Sequence, residues 1–186
     1  ETIGPLRLVT ATLAQPWLAT HEGAENSWRF DPKISGGGVL ADAGDHLIDA
    51  VLWTTGQPAE EVCAIQSRLD SGLDVVTSAV ARLRGGVTVS LAVSGVSPNS
   101  LFELKFYGEK GNMTATEHRL EIEGEGLKSD QVLFEPPPEQ SIDENFISAL
   151  LSDAPLCCPA DQALDTVRFI EAAGRSASTG QLVRLV

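Results

Sequence analysis

Six short segments between residues 61 and 122 constrain this 186-residue chain more than anything else in it. Residues 61–69, 74–83, 87–93, 101–107, 112–116 and 120–122 alternate apolar with polar or small side chains, the two-residue period of an extended strand. Gly85-Gly86 and Gly108-Glu109-Lys110-Gly111 separate neighbours by links too short for a crossover helix. Strands joined in this way pair antiparallel with their sequence neighbours. A further strand is read at residues 6–13 and a short closing one at 182–186. Small polar residues (Ser67, Thr77, Ser78, Thr88 and Ser90) recur along the strands, so one face of the sheet is expected to be mixed and open to solvent or to a second subunit.

Helical periodicity occurs in three places only. Residues 39–55 carry Leu40, Ala43, Leu47, Ala50 and Val51 at spacings of three and four, and Gly56 with Pro58 forms a stop. Residues 141–152 begin with a capping box, Ser141 and Glu144. Residues 160–178 follow Pro159, repeat Ala163, Leu164, Val167, Ile170, Ala173 and Ala177, and end at Gly180. The triplet Pro136-Pro137-Pro138 marks the change from strands to these last two helices. The expectation is an α+β, two-layer domain over residues 1–186: a mostly antiparallel open sheet with helices on one face. The length suits one domain.

Charge and cysteine usage narrow the function. A net charge of −13 without a basic cluster opposes nucleic-acid binding. No apolar run approaches the ~18–20 residues of a membrane span, so a membrane partner is not expected. Cys63, Cys157 and Cys158 form neither a paired framework nor a CxxC site, which fits reduced thiols in a cytoplasmic protein. Residues 15–35 show no period and hold Trp17, Trp28 and Phe30; a long irregular stretch with aromatic anchors is expected to be functional.

The chemistry concentrates after Gly36-Gly37-Gly38, in Asp42-Ala43-Gly44-Asp45-His46-Leu47-Ile48-Asp49. On a continuous helix Asp42 and His46 share a face, as do Asp45 and Asp49. A carboxylate one turn from an imidazole fixes its tautomer, which is what a general acid/base needs. Plainer readings stand beside this one. Asp42 is equally placed as an N-cap, the Asp42–His46 pair as a surface ion pair, and Asp49 as an exposed charge. Two of the carboxylates face away from His46, so a metal is not expected. Gly36-x-Gly38-x-x-Ala41 matches a dinucleotide fingerprint in letters only, because no hydrophobic strand precedes it. The glycines instead suit close approach of backbone to a ligand or cofactor face. Arg29 is a candidate for a hydroxyl-rich or anionic group, or pairs with Asp31. His21 is a weaker substrate candidate, with an exposed loop histidine as its plainer reading, and His118 has no assigned role.

The motif Trp28-Arg29-x-Asp31-Pro32-x-x-x-Gly36-Gly37-Gly38-x-Leu40-x-Asp42-x-Gly44-x-His46-x-x-Asp49, ending in Gly56-x-Pro58, resembles the central motif of the Gfo/Idh/MocA oxidoreductases, the glucose-fructose oxidoreductase and inositol dehydrogenase relatives. The tail from Ala163-Leu164-x-Thr166-Val167 through Glu171-Ala172 and Ser176-Ala177 to Gly180 and Val183 is similar to that family's final helix and strand, and Gly4-Pro5-Leu6-Arg7 to its approach to the second domain. The resemblance implies a C-terminal substrate-binding and oligomerisation domain of an NAD(P)-dependent enzyme acting on a CH–OH group of a sugar, polyol or cyclitol. It also implies that NAD or NADP is held mainly by an N-terminal Rossmann domain outside these residues. The family's catalytic lysine sits in a Glu-Lys-Pro motif; Lys33 and Lys110 lie in no such motif. The abrupt start of the first strand agrees with a missing upstream part. The resemblance makes Asp42 and His46 the catalytic pair. It places Gly37 and Gly38 on the nicotinamide side; Arg29, Asp45 and His21 stand beside them as substrate candidates read from the residues themselves. It further implies a homo-oligomer, a dimer or larger, formed through the sheet face. The chain alone is expected neither to bind NAD(P)H nor to oxidise a polyol. The alternative is a non-catalytic binding or dimerisation module of the same fold.

Overall fold

A computed structural model describes residues 2–21, 28–124, 126 and 141–185. The proline triplet and the last residue of the expected 182–186 strand fall outside them. Eight strands form one sheet: β1 (Leu6–Ala14), β2 (Ala59–Arg68), β3 (Asp74–Leu83), β4 (Thr88–Ser94), β5 (Leu101–Gly108), β6 (Gly111–Thr116), β7 (Leu120–Gly124) and β8 (Val183–Arg184). Their spatial order is β7-β6-β5-β1-β4-β3-β2-β8. Each consecutive pair from β2 to β7 is an antiparallel neighbour except β4 and β5, between which β1 is inserted. β1 runs parallel to β4, with Val9 opposite Val89, and antiparallel to β5, with Ala11 opposite Leu104. The sheet is therefore mostly antiparallel, with one parallel seam.

The helices are α1 (Trp17–His21), α2 (Pro32–Ser35), α3 (Val39–Asp42), α4 (Gly44–Thr55), α5 (Ile142–Ser152) and α6 (Ala160–Thr179), with a 3-10 turn at Trp28–Phe30. The core lies between one sheet face and two long helices. Val9, Ala11 and Leu13 of β1, Val89, Leu91 and Val93 of β4, and Leu104 and Phe106 of β5 point inward. Leu47, Ile48, Val51 and Leu52 of α4, with Phe169, Ala172 and Ala173 of α6, cover them. Burying each large side chain of this set contributes ~1.5–3 kcal/mol, so these two stripes hold the layers together. The Ser176 hydroxyl joins them too: it accepts from the Ala64 N–H at 2.9 Å and donates to the Gln181 carbonyl at 2.6 Å. Gly180, at φ 67°, ends α6 in the left-handed region.

On the opposite face Ser78, Val80, Arg82, Thr88, Ser90 and Ala92 are exposed, as the alternation implies. Thr77 does not belong with them. It lies on the helix-covered face, fully buried, within hydrogen-bonding distance of Asp74 and Gln66.

Two other expectations change. The helix read at 39–55 is broken: Ala43, at φ −135° and ψ −32°, separates α3 from α4. Gly44 follows immediately and presses on β4; a Cβ there would sit 3.2 Å from Val93 Cγ2. The stretch at 15–35 is not simply irregular, because α1, the 3-10 turn and α2 order its described part. α2 opens with Pro32, and Asp31 Oδ1 accepts from the Lys33 N–H at 2.9 Å as its N-cap.

Candidate functional site

One edge of the sheet gathers the C-terminal ends of β1, β2 and β4 and the first residues of β3. The short helices α1, α2 and α3 extend from the strand ends there, so the segment that looked chemically dense sits on a rigid rim.

Asp42 closes α3. Both of its identified hydrogen bonds end on one oxygen: Trp17 Nε1 donates to Oδ2 at 2.6 Å, and Arg29 Nε donates to the same atom at 2.9 Å. The Asp42 side chain is 18% exposed. The Arg29 guanidinium also lies over the Trp28 ring, 4.5 Å from its centroid. Arg29 thus pairs with Asp42, and Asp31 is left to its capping role. Asp42 is not an N-cap.

His46 lies in the first turn of α4, with its side chain 77% exposed. The break at Ala43 means that Asp42 and His46 are not successive turns of one helix, and no hydrogen bond joins them. The nearest carboxylate to His46 is Asp45, whose Oδ1 lies 3.9 Å from Nε2. That oxygen is buried and has no hydrogen-bond partner among the described residues. Asp49 is half-buried rather than an exposed charge, and accepts a 3.3 Å hydrogen bond from Thr166 of α6. His21 is not a free loop histidine. Its Nδ1 lies 2.7 Å from the Trp17 carbonyl, and its ring packs on Trp17 at 5.4 Å between centroids. His118 is in a turn beside Glu117.

The glycine run has an internal explanation that the sequence reading lacked. A Cβ on Gly38 would overlap the backbone of Asp74, so Gly38 permits close packing of the loop on β3. Asp74 is 5% exposed; its Oδ1 accepts from the Gly38 N–H and its Oδ2 from the Leu40 N–H, both at 2.9 Å, with Thr77 Oγ1 at 3.3 Å from Oδ2. A buried carboxylate thereby satisfies backbone donors at the start of α3 that the helix itself leaves unpaired. Gly36 sits at φ 74° with open space where a Cβ would be. Gly36 and Gly37 border a cleft of ≈ 330 Å³ that continues past Gln66 and Arg68 to Glu171 and Arg175 of α6. Asp74 and Trp17 were both missed: their partners lie 36, 34 and 25 residues away, beyond any local period.

Among the described residues, no group of three or more His, Cys, Asp or Glu is arranged to hold a metal ion. No helix among them is long and apolar enough to cross a membrane. The site thus comprises an anchored carboxylate at the end of α3 and an exposed imidazole in the first turn of α4, beside a backbone that approaches β3 without side chains.

A sequence model of the GFO/IDH/MocA C-terminal domain matches residues 1–114. Solved structures with the same fold include the aldose-aldose oxidoreductase from Caulobacter crescentus, complexed with glycerol, at TM-score 0.81 and 22% identity, covering 99% of this chain and 57% of that one. An oxidoreductase domain protein from Kribbella flavida superposes at TM-score 0.80 and 20% identity, covering 100% and 60%. A levoglucosan dehydrogenase, in complex with NADH and levoglucosan, gives TM-score 0.77 and 21% identity, covering 99% and 60%. The chain spans less than two thirds of the length of these structures. No curated protein sequence matches it.

Proposed function

Because the chain belongs to the GFO/IDH/MocA C-terminal domain family, we propose that it is the substrate-binding and oligomerisation domain, over residues 1–186, of an NAD(P)-dependent oxidoreductase that oxidises a CH–OH group of a sugar, polyol or cyclitol. The solved relatives include sugar oxidoreductases with NADH, levoglucosan or glycerol bound, and this chain matches only 57–60% of their length, which is consistent with a nucleotide-binding part elsewhere. The observation that carries the reading is the placement of an anchored Asp42 and an exposed His46, four residues apart in the chain, on the rim of the sheet.

In this reading the substrate hydroxyl lies between the two side chains. His46 takes the hydroxyl proton as the C–H bond of the same carbon breaks, and the carbinol becomes a carbonyl. Asp42 accepts a hydrogen bond from the substrate through Oδ1, since Oδ2 is already occupied by Trp17 and Arg29. Asp45 Oδ1, 3.9 Å from His46 Nε2 and unpartnered within the described residues, is an acceptor for protonated His46. NAD(P), when bound, would supply the hydride acceptor. Of the two glycines assigned to the nicotinamide side, Gly37 borders the cleft and Gly38 is buried against Asp74; the cleft is lined by neither Asp42 nor His46, so this contact rests on the family resemblance. His21, held on Trp17, and Arg29 border the substrate side. A cytoplasmic location accords with the unpaired cysteines.

The open sheet face bears exposed Ile65, Val80 and Leu101 among small polar residues, and in this reading it pairs with a second copy. The same face also supports a non-catalytic dimerisation module, which would need no histidine at the rim.

The test is turnover of a panel of sugars and cyclitols by the full-length protein with NAD⁺ and NADP⁺, followed by NAD(P)H absorbance. His46→Ala is expected to lower kcat by about 10²–10⁴-fold. Wild-type turnover by that variant removes His46 from the mechanism, whereas no turnover of any panel substrate by the unaltered full-length protein favours the non-catalytic module.

A further inference from the structure

We propose that Trp17 is a positioning residue for Asp42: its indole N–H, together with the Arg29 guanidinium, takes one carboxylate oxygen for the protein and leaves the other to the substrate. This rests on the reading of Asp42 and His46 given above.

Three observations carry the proposal. Trp17 is a core residue, 2% exposed, with its ring 5.6 Å from that of Phe30 and 5.4 Å from that of His21. Its indole N–H therefore has to find a partner inside the protein, and that partner is Asp42 Oδ2. Secondly, the tryptophan is tied to the strand ends on both sides. The Gln15 N–H donates to the Ser94 carbonyl at 2.9 Å, and the Leu18 N–H donates to the Gly95 carbonyl at 2.8 Å. The donor is thus rigid, whereas Arg29 reaches Asp42 from a surface turn with its side chain 32% exposed. Thirdly, both donors meet on the same oxygen, and Oδ1 has no hydrogen-bond partner among the described residues.

Two donors on one oxygen hold the carboxylate against rotation. The free oxygen then points one way, and because it only accepts, it selects a donor such as a hydroxyl over a carbonyl or ring ether. Without the indole N–H the carboxylate can turn and present either oxygen, and the substrate loses its fixed distance to His46.

Trp17→Phe retains an aromatic ring in the core, though a smaller one, and removes the N–H donor. In the full-length protein, with the panel substrate that is oxidised fastest, this variant is expected to lose about 10–100-fold in kcat/KM. A tryptophan acting through Asp42 has no further effect once Asp42 is altered, so W17F/D42N should be no slower than D42N. Trp17→Phe at the wild-type rate, or a double variant slowed by the product of the two single effects, overturns the proposal. Wild-type turnover by His46→Ala is a failure of the site reading itself, whereas inactive His46→Ala with unaffected Trp17→Phe overturns only the role of Trp17. A measurement needing no substrate reports on the same bond. In ¹⁵N-tryptophan-labelled full-length protein, D42N should shift the Trp17 Nε1–H resonance and leave that of Trp53, whose N–H donates to the Cys157 carbonyl, in place. A Trp17 resonance that does not move overturns the proposal even if Trp17→Phe fails to fold.

Discussion

Asp74 opens a strand whose next residues are Val75 and Val76, and a carboxylate there would ordinarily face water. Instead it is buried and takes up the Gly38 and Leu40 N–H groups, with Thr77 beside it. Charge-assisted bonds to backbone donors are stronger than neutral ones, and a donor left unpaired in the interior costs about 1–3 kcal/mol. Asp74→Ala is therefore expected to destabilise the protein by about 2–4 kcal/mol, less than the sum of separate losses because the loop can relax. Urea unfolding measures this, and Asp74→Asn should lose less because its amide oxygen still accepts. A change below about 1 kcal/mol for the alanine variant would mean that the loop does not depend on this carboxylate. Residue-scale chemistry of this kind was only half legible in the sequence. Asp42 and His46 stood out as candidates because their motif is local, although the one-turn spacing read between them does not survive the break at Ala43. Trp17 and Asp74 were not, since what gives each its role is a partner brought close by the fold.

At the scale of elements, periodicity located the helices and strands because each buries one face, and burial imposes a period on the sequence. The break at Ala43 left no such trace. Leu40, Ala43 and Leu47 keep helical spacing across it, while the cause is a tertiary contact, Gly44 against Val93 of β4. The consequence for the site is direct: the Asp42 carboxylate meets Trp17 and Arg29, and His46 is left facing solvent. α5 shows the converse, a local signal fully realised. Ser141 Oγ accepts from the Glu144 N–H at 3.1 Å and Glu144 Oε2 accepts from the Ser141 N–H at 3.0 Å. Ile142, Leu150 and Leu151 on this helix are 89%, 69% and 82% exposed, so packing contributes little to holding it. Ser141→Ala should therefore weaken the helix by about 0.5–2 kcal/mol. Amide hydrogen exchange over residues 142–152 should rise while that of β3 and β4 stays constant; a uniform rise would place the cap in the global stability instead.

For the whole molecule, the alternation of the strands foretold two unlike sheet faces, one under helices and one open. Val80 lies on the open face, 52% exposed, opposite Ser90 on β4 and Cys63 on β2. If this face pairs with a second copy, Val80→Glu places like charges against each other across a two-fold axis and buries a carboxylate without a partner. The expected result in sedimentation or light scattering of the full-length protein is a loss of the oligomer, with the fold intact by circular dichroism. An unchanged mass would assign the contact to another surface.

β1 is inserted between β4 and β5, next to each other in the chain but not in the sheet. Leu8 pairs with Thr88 and Tyr107, some 80 and 99 residues further along. β1 is thus a keystone, set between partners that lie far along the chain from it. Until it is seated, β2–β4 and β5–β7 are two separate hairpin ribbons, each with a bare edge. Such long-range closure slows folding and leaves those edges open to other chains meanwhile. The rim that carries Trp17 depends on that closure, because Gln15 and Leu18, just past β1, donate to the carbonyls of Ser94 and Gly95 at the end of β4, and without it Asp42 lacks its indole donor.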